Sequence, residues 1–377
     1  MDFSWTPEQE SLREKTLAFA GEKLNRDAGS DFSRDLWKQC ADFGILRSFM
    51  PAAYGGDDLD IVSTILMMEA VGEGCRDNGF TLALNGQMWS IQEPILRFGS
   101  EEQKQTYLPG LGDGSLIGSH GMTEAETGSD AFSLKTTAVR QDDGGYLLNG
   151  RKSFIGLAPV CDLALVFANT EPAMGKWGVS VFLVEKGTPG FTLSAPREKM
   201  GLNSNPLGDL IFEDCPVPEE QRLGKEGVGV SLFKTSMDWE RSFIFASHVG
   251  SMARQLDDCV NFANERNLFD QSIGKFQSVS NRIADMKLRL ETSRLLLYKL
   301  AWMKEHDRNA VMEAALANLH LAESFAASSV DAMRIHGARG YVSEYGVEQD
   351  VRDALGGVIY SGTSDIQRNI IANMLGL

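Results

Sequence analysis

The chain has 377 residues, 43% apolar and 23% charged, with a formal charge of −16 and five cysteines. That length suits two or three domains with ordinary cores, and the acidity argues against nucleic acid or anionic lipid as partners, since both need dense basic patches. Cys40, Cys75, Cys161, Cys215 and Cys259 lie far apart with no C-x-x-C pair, which argues against a zinc site or a disulfide framework and suits a reducing cytoplasm.

No apolar run reaches the roughly 20 residues of a membrane helix. Met1-Asp2-Phe3-Ser4-Trp5 lacks the basic and apolar regions of a signal peptide and the arginines of a transit peptide. The expectation is a cytoplasmic protein without membrane or metal.

In chain order, the region to about residue 118 reads as helical. Thr6-Pro7-Glu8-Gln9 combines a threonine cap, a proline at the first helical position and a capping-box glutamine. A second helix runs from Arg34 to about Phe43-Gly44. Apolar helical spacing returns from Val62 to Val71, and Ser100 with Gln103 forms another capping box. Residues 119–225 change character. Tyr146 to Gly150 reads as a strand entering a turn, and Leu163–Ala168 and Val179–Val184 as short strands. Gly187-Thr188-Pro189-Gly190 and Cys215-Pro216-Val217-Pro218 read as punctuation. Residues 226–377 are helical again: Phe276, Val279, Ile283, Met286 and Leu290 form one stripe, and Leu295 to Leu300 is apolar enough to be buried in a bundle or a subunit contact. Gly224 to Gly229 has the wrong spacing for a dinucleotide fingerprint and reads as a loop. The expected fold is therefore α+β and multidomain. It has an N-terminal all-α domain (1–118), a small central β-barrel (119–225) and a C-terminal helical bundle (226–377).

Five segments in order resemble the acyl-CoA dehydrogenase family over nearly the whole chain. They are Phe98-Gly99-Ser100-Glu101-Glu102-Gln103-Lys104 with Tyr107-Leu108-Pro109; Gly121-Met122-Thr123-Glu124 leading to Gly128-Ser129-Asp130; Asn149-Gly150-Arg151-Lys152-Ser153-Phe154-Ile155; Arg266-Asn267-Leu268-Phe269 with Ile273-Gly274 and Gln277; and Tyr360-Ser361-Gly362-Thr363-Ser364-Asp365-Ile366-Gln367-Arg368. The resemblance implies a homotetramer with one FAD per subunit. It implies that Met122, Thr123, Phe154 and Ile155 line the isoalloxazine, and that Ser129 lies near the pyrophosphate or the thioester arm. Arg266, Phe269 and Gln277 would hold the adenine half of a neighbour's FAD, with Gly337, Thr363 and Asp365 contributing. Competing readings make Thr123 a loop cap, Phe154 ordinary β-core and Arg266 a solvated helix end; Ser364 with Gln367 also reads as a capping box.

The implied reaction removes an α proton while hydride leaves the β carbon, and it needs a carboxylate in a dry pocket and a hydrogen bond to the thioester oxygen. Much of the family places the base just before the Gly-Thr of the last signature, where this chain has Ser361. A minority branch, including the isovaleryl-CoA type, supplies it from a Glu-Arg pair on a C-terminal helix, which Glu240-Arg241 matches. Glu240 is thus the expected base and the Ser361 backbone an expected donor to the thioester oxygen; a structural ion pair is the competing reading of Glu240. Trp89, Arg241 and Phe243 are expected at the substrate, with Asn85, Gln87 and Met88 as further pocket candidates. Gly156-Leu157 replaces a common Thr-Asn, and Arg334 and Ala338 replace a common Gln and Gly near a neighbour's FAD.

Cys75 to Gly79, Met237 to Arg241, Asp285 to Glu291 and Ser361-Gly362-Thr363 are most similar to a branch acting on acyl or aminoacyl groups tethered to acyl or peptidyl carrier proteins, as in pyrrole formation in natural-product pathways. The alternatives are a CoA thioester substrate of short or branched acyl catabolism, a flavin monooxygenase on the same scaffold, and a relative without catalysis. An electron-transfer flavoprotein or oxygen is the expected acceptor.

Overall fold

A computed structural model describes residues 4–25 and 30–377; the first three residues of the Met1–Trp5 start lie outside the described part. The N-terminal helices are α1 (Pro7–Lys23), α2 (Arg34–Phe43), α3 (Ile61–Gly74), α4 (Asn78–Gly86), α5 (Glu93–Phe98) and α6 (Glu101–Gly112). Local chemistry sets their ends. Both capping boxes form, at Thr6/Gln9 and Ser100/Gln103, and α2 stops on left-handed Gly44. Between α4 and α5 the chain makes a π-helical turn, Gln87–Gln92, which puts Trp89 in the core.

The middle of the chain is a curled seven-stranded sheet of β1 (Gly118–Gly121), β2 (Thr137–Arg140), β3 (Tyr146–Gly156), β4 (Leu163–Asn169), β5 (Val179–Glu185), β6 (Phe191–Leu193) and β7 (Leu207–Val217). The strands pair in the order β1-β4-β2-β3-β7-β6, with β5 on β4. Tyr146, Leu148, Val166, Phe182 and Phe212 fill the space inside its curl. Two expectations are corrected. Tyr146–Gly150 does not enter a turn, because β3 continues to Gly156 through a bulge near Gly150. There φ is +146° and a Cβ would sit 2.5 Å from the Thr136 hydroxyl. Cys215, Pro216 and Val217 likewise belong to β7, paired with Leu148, Leu147 and Tyr146.

Helices then return: α7 (Gly229–Phe243), α8 (Ala246–Glu265), α9 (Gln277–Glu305), α10 (Val311–His336), α11 (Val347–Gly357) and α12 (Ser364–Met374). A hairpin of β8 (Asn267–Leu268) and β9 (Gln271–Ser272) joins α8 to α9. Helix α8 crosses α3 so tightly that both carry glycine, Gly250 and Gly72, at the contact. The expected α9 stripe is present, with Met286 and Leu290 buried. Within one chain Leu297 and Leu300 are buried, whereas Leu295 is 56% exposed and stays open to the expected subunit contact. A helix of that pitch turns only one face to the chain's own core. The order of helices, sheet and helices agrees with the expected α+β architecture.

Candidate active site

Two elements meet at Glu240: helix α7 carries it two turns after Phe233, and the loop before α12 brings Ser361. Strand β1 places His120 within reach of its charge. The loop is anchored from both sides: Tyr360 packs on Phe245 at 5.4 Å, and Gln367 Nε2 donates to the carbonyls of Ser361 and Gly362. Gln367 therefore does not complete a capping box with Ser364. The cap is Thr363, whose hydroxyl accepts from Ile366 N.

Glu240 is 8% exposed. Its polar partner among the described residues is the Ser361 hydroxyl, which donates to Oε1. No arginine or lysine pairs with it there, so the ion-pair reading of Glu240 fails. Arg241 lies alongside, its Nε buried without a partner and 3.5 Å from where a Cβ on Gly362 would be. Burial lowers the Arg241 pKa, against the opposing pull of Glu240 and Asp238.

The loop has unusual backbone geometry. Ser361 and Gly362 both have positive φ, +56° and +88°, and the N–H groups of Ser361, Gly362 and Thr363 have no backbone acceptor among the described residues. Consecutive free N–H groups at a helix start suit an anionic oxygen.

Behind Glu240 is an aromatic wall. Trp89 stacks on Trp239 at 6.1 Å and meets Phe243 at 4.9 Å and Phe49 at 4.7 Å. Two of the pocket candidates are committed elsewhere: Asn85 donates to Thr81 O and Ser247 Oγ, and Gln87 donates to Leu111 O and Leu116 O while accepting from Gly118 N. Met88 is fully buried.

The sheet contributes an adjoining face. Ser153 N donates to Thr123 O, which lays the Met122–Thr123 segment beside β3. Thr123 has no hydroxyl partner among the described residues, so it is not a loop cap. Phe154 is 51% exposed with φ +60°, a strained conformation for an aromatic residue, and its ring lies 4.9 Å from the Arg197 guanidinium. It is not β-core. Ile155 is: its side chain packs inside the sheet, leaving only its backbone for a ligand. Ser129 is exposed on the loop that follows Thr123.

Sequence reasoning missed what holds this face. Buried Glu124 accepts from Lys152 Nζ at 2.8 Å, Thr136 Oγ1 at 2.6 Å and two backbone N–H groups. Burial pushes its carboxyl up, but Lys152 and the donors outweigh that and hold it below its usual value. Burial brings Lys152 down to about 8. A lysine at an inward position of an alternating strand was the available signal.

Arg266, Phe269, Gln277 and Gly337 gather at the opposite end of α8, about 30 Å away by helix length. His336, next to Gly337, stacks on Phe262 at 4.4 Å. Phe269 and Asp270, both with positive φ, form the tip of the β8–β9 hairpin, and Phe269 is 87% exposed. Arg334 and Ala338 are exposed at this same end. Asp365 is exposed and pairs with Arg368.

An open apolar and hydroxyl-bearing face with a strained exposed aromatic suits a flat ring with a polar edge. These residues fit FAD.

Residues 6–115, 119–215 and 227–376 match the N-terminal, middle and C-terminal domains of acyl-CoA dehydrogenase. The chain is 41% identical over 381 residues to an L-prolyl-[peptidyl-carrier protein] dehydrogenase of Pseudomonas fluorescens, covering all of both. It superimposes on the prolyl acyl carrier protein oxidase AnaB with a TM-score of 0.97 and 44% identity, covering 99% of this chain and 100% of that one. It also superimposes on PigA with FAD and proline at 0.96 and 38%, covering all of both. This chain belongs to the acyl-CoA dehydrogenase family.

Proposed function

We propose that this chain is an FAD-dependent dehydrogenase that introduces a double bond between the α and β carbons of an aminoacyl thioester tethered to a peptidyl carrier protein, with Glu240 as the base. The observation that carries the reading is the placement of Glu240. It is a nearly dry carboxylate with no ion pair among the described residues, beside free N–H donors and an aromatic wall. Such a carboxylate can take a proton from a weak carbon acid.

Ser361 donates to one carboxylate oxygen and leaves the other to face the α carbon. The N–H groups of Ser361 to Thr363 suit the thioester oxygen as charge develops on it. Trp89, Phe243 and Arg241 border the acyl group, and the aromatic wall excludes water. Met122, Thr123, Phe154 and the Ile155 backbone would hold FAD, which would supply the two-electron acceptor for the hydrogen leaving the β carbon. Ser129, Thr363 and Asp365 serve the same cofactor, while Arg266, Phe269, Gln277 and Gly337 reach the adenine half of a neighbour's FAD in a homotetramer. Residues 1–118, 119–225 and 226–377 are its three domains. Electrons pass onward to an electron-transfer flavoprotein or oxygen, and the cytoplasm is its compartment. No described helix is long and apolar enough to cross a membrane.

The carrier-bound substrate rests on the relatives: a prolyl-carrier dehydrogenase at 41% identity and a prolyl-carrier oxidase at a TM-score of 0.97. The test is anaerobic mixing of the purified yellow protein with prolyl-carrier protein, prolyl-CoA and butyryl-CoA. The expected result is rapid loss of flavin colour with the prolyl carrier alone. Bleaching by butyryl-CoA and not by the prolyl carrier would make it an acyl-CoA enzyme.

A further inference from the structure

One polar group within reach of the Glu240 charge has no role in the chemistry described so far. Strand β1 alternates as a strand must. Ser119 and Gly121 face the sheet, Ser119 Oγ donating to Gly156 O and Gly121 lying against Leu210 and Lys152. His120 and Met122 face the helices, and Met122 belongs to the helical core. The His120 ring lies 5.3 Å from Phe167, which meets Phe233 edge-on at 5.7 Å. Phe233 and Glu240 are seven residues apart on α7, so they share a face. His120 thus looks onto the strip of α7 that ends in the base.

Its Nε2 is buried without a hydrogen-bond partner. An orphaned buried nitrogen is costly unless a ligand satisfies it. Burial lowers the pKa of the imidazole; the Glu240 charge opposes this and the Lys152 charge adds to it. A neutral imidazole protonated on Nδ1 keeps a lone pair on Nε2.

The α carbon must meet Glu240, and in an aminoacyl thioester the nitrogen is one bond from that carbon. A group that reads the nitrogen must therefore sit next to the base. We propose that His120 Nε2 accepts a hydrogen bond from the α-nitrogen of the substrate, and that this contact separates aminoacyl from plain acyl thioesters. The assignment rests on the carrier-tethered aminoacyl reading above. A plain acyl group would bury the same lone pair against a methylene, and sites built around a hydrogen bond reject such analogues strongly.

The test compares two carrier-loaded thioesters, prolyl and cyclopentanecarboxyl, which differ by N–H against CH2. Anaerobic flavin reduction is measured in the wild type, His120→Leu and His120→Asn, each carrying FAD. The wild type should prefer prolyl by about 100-fold or more. His120→Leu should lose most of that preference by slowing prolyl oxidation alone, and His120→Asn, which keeps an acceptor, should retain part of it. A His120→Leu enzyme with the wild-type preference, or one that slows both thioesters equally, overturns the assignment. A wild type bleached by acyl-CoA and never by prolyl carrier sinks the substrate reading and this contact together. A wild type bleached by prolyl carrier whose preference survives His120→Leu sinks the contact alone.

Discussion

The Ser361 hydroxyl donates to Glu240 Oε1 over 2.5 Å, from a backbone held at φ +56°. The family resemblance puts the base of much of the family at the position of Ser361; here that residue donates to a carboxylate carried by α7. A hydrogen bond to a charged group is worth about 1.5–3 kcal/mol, and this one fixes which way the carboxylate faces. Ser361→Ala should therefore slow single-turnover flavin reduction by about 10-fold or more, and Ser361→Thr, which keeps a hydroxyl, should retain part of the rate. An alanine variant with the wild-type rate would mean that the hydroxyl does not hold the carboxylate during turnover.

Glu240→Gln keeps the shape of the side chain and removes the proposed acceptor for the α proton. Flavin reduction should slow by about 10²- to 10⁴-fold, the usual worth of a positioned general base. FAD content and melting temperature should stay near those of the wild type. A variant that still bleaches at a normal rate would place the base elsewhere.

Much of this was legible from the residues, for reasons specific to each. Thr6/Gln9 and Ser100/Gln103 could be read as caps because both partners of the bond lie within four residues. Glu240 stood out as an acid in an apolar stretch. What stayed hidden depended on contacts distant in sequence. Thr363 rather than Ser364 caps α12 because Gln367 turns back to the Ser361 and Gly362 carbonyls. Asn85 and Gln87 looked like pocket residues until their amides were seen to tie α4 and the π-helical turn to α8, α6 and β1. His120 is one polar residue on a four-residue strand, and no local pattern marks which face it takes.

Glu93 lies one turn beyond Trp89, and burial pushes its carboxyl up to about 7 despite Arg97 and Lys304 nearby. Its Oε2 has no partner. Because the folded pKa exceeds the unfolded one, the folded state holds this proton more tightly. The resulting stability is fully present below about pH 4.5 and lost as pH rises through 7. Glu93→Gln should melt close to wild type at pH 5 and gain stability over it at pH 8, by on the order of 1–3 kcal/mol. Parallel melting profiles across that range would reject the shift.

Gly72 and Gly250 let α3 and α8 cross at backbone contact. A Cβ on Gly72 would lie 1.7 Å from Ser247 O, and one on Gly250 1.9 Å from Glu69 O. Alanine normally favours a helix over glycine by about 1 kcal/mol, but overpacking a closed contact costs about 1–3 kcal/mol or more. Gly72→Ala should lower the denaturant midpoint or prevent folding. Gly86→Ala in α4, where nothing lies within 4 Å of the added carbon, should hold or raise it. Equal responses would show that the crossing can relax.

Leu288, Leu295 and Trp302 are spaced by seven along α9 and are 63%, 56% and 47% exposed. A stripe of that kind asks for cover, and a second copy of the chain would supply it in the proposed homotetramer. The same assembly would resolve a geometric problem. Arg266 and Phe269 are an α8 length from the chain's own Glu240, about 30 Å, which fits the proposal that they reach the FAD of a neighbouring subunit. Leu288→Glu with Leu295→Glu should therefore lower the mass measured by light scattering and the flavin-to-protein ratio together. Loss of the assembly with full flavin occupancy would separate the two and leave the hairpin without its role.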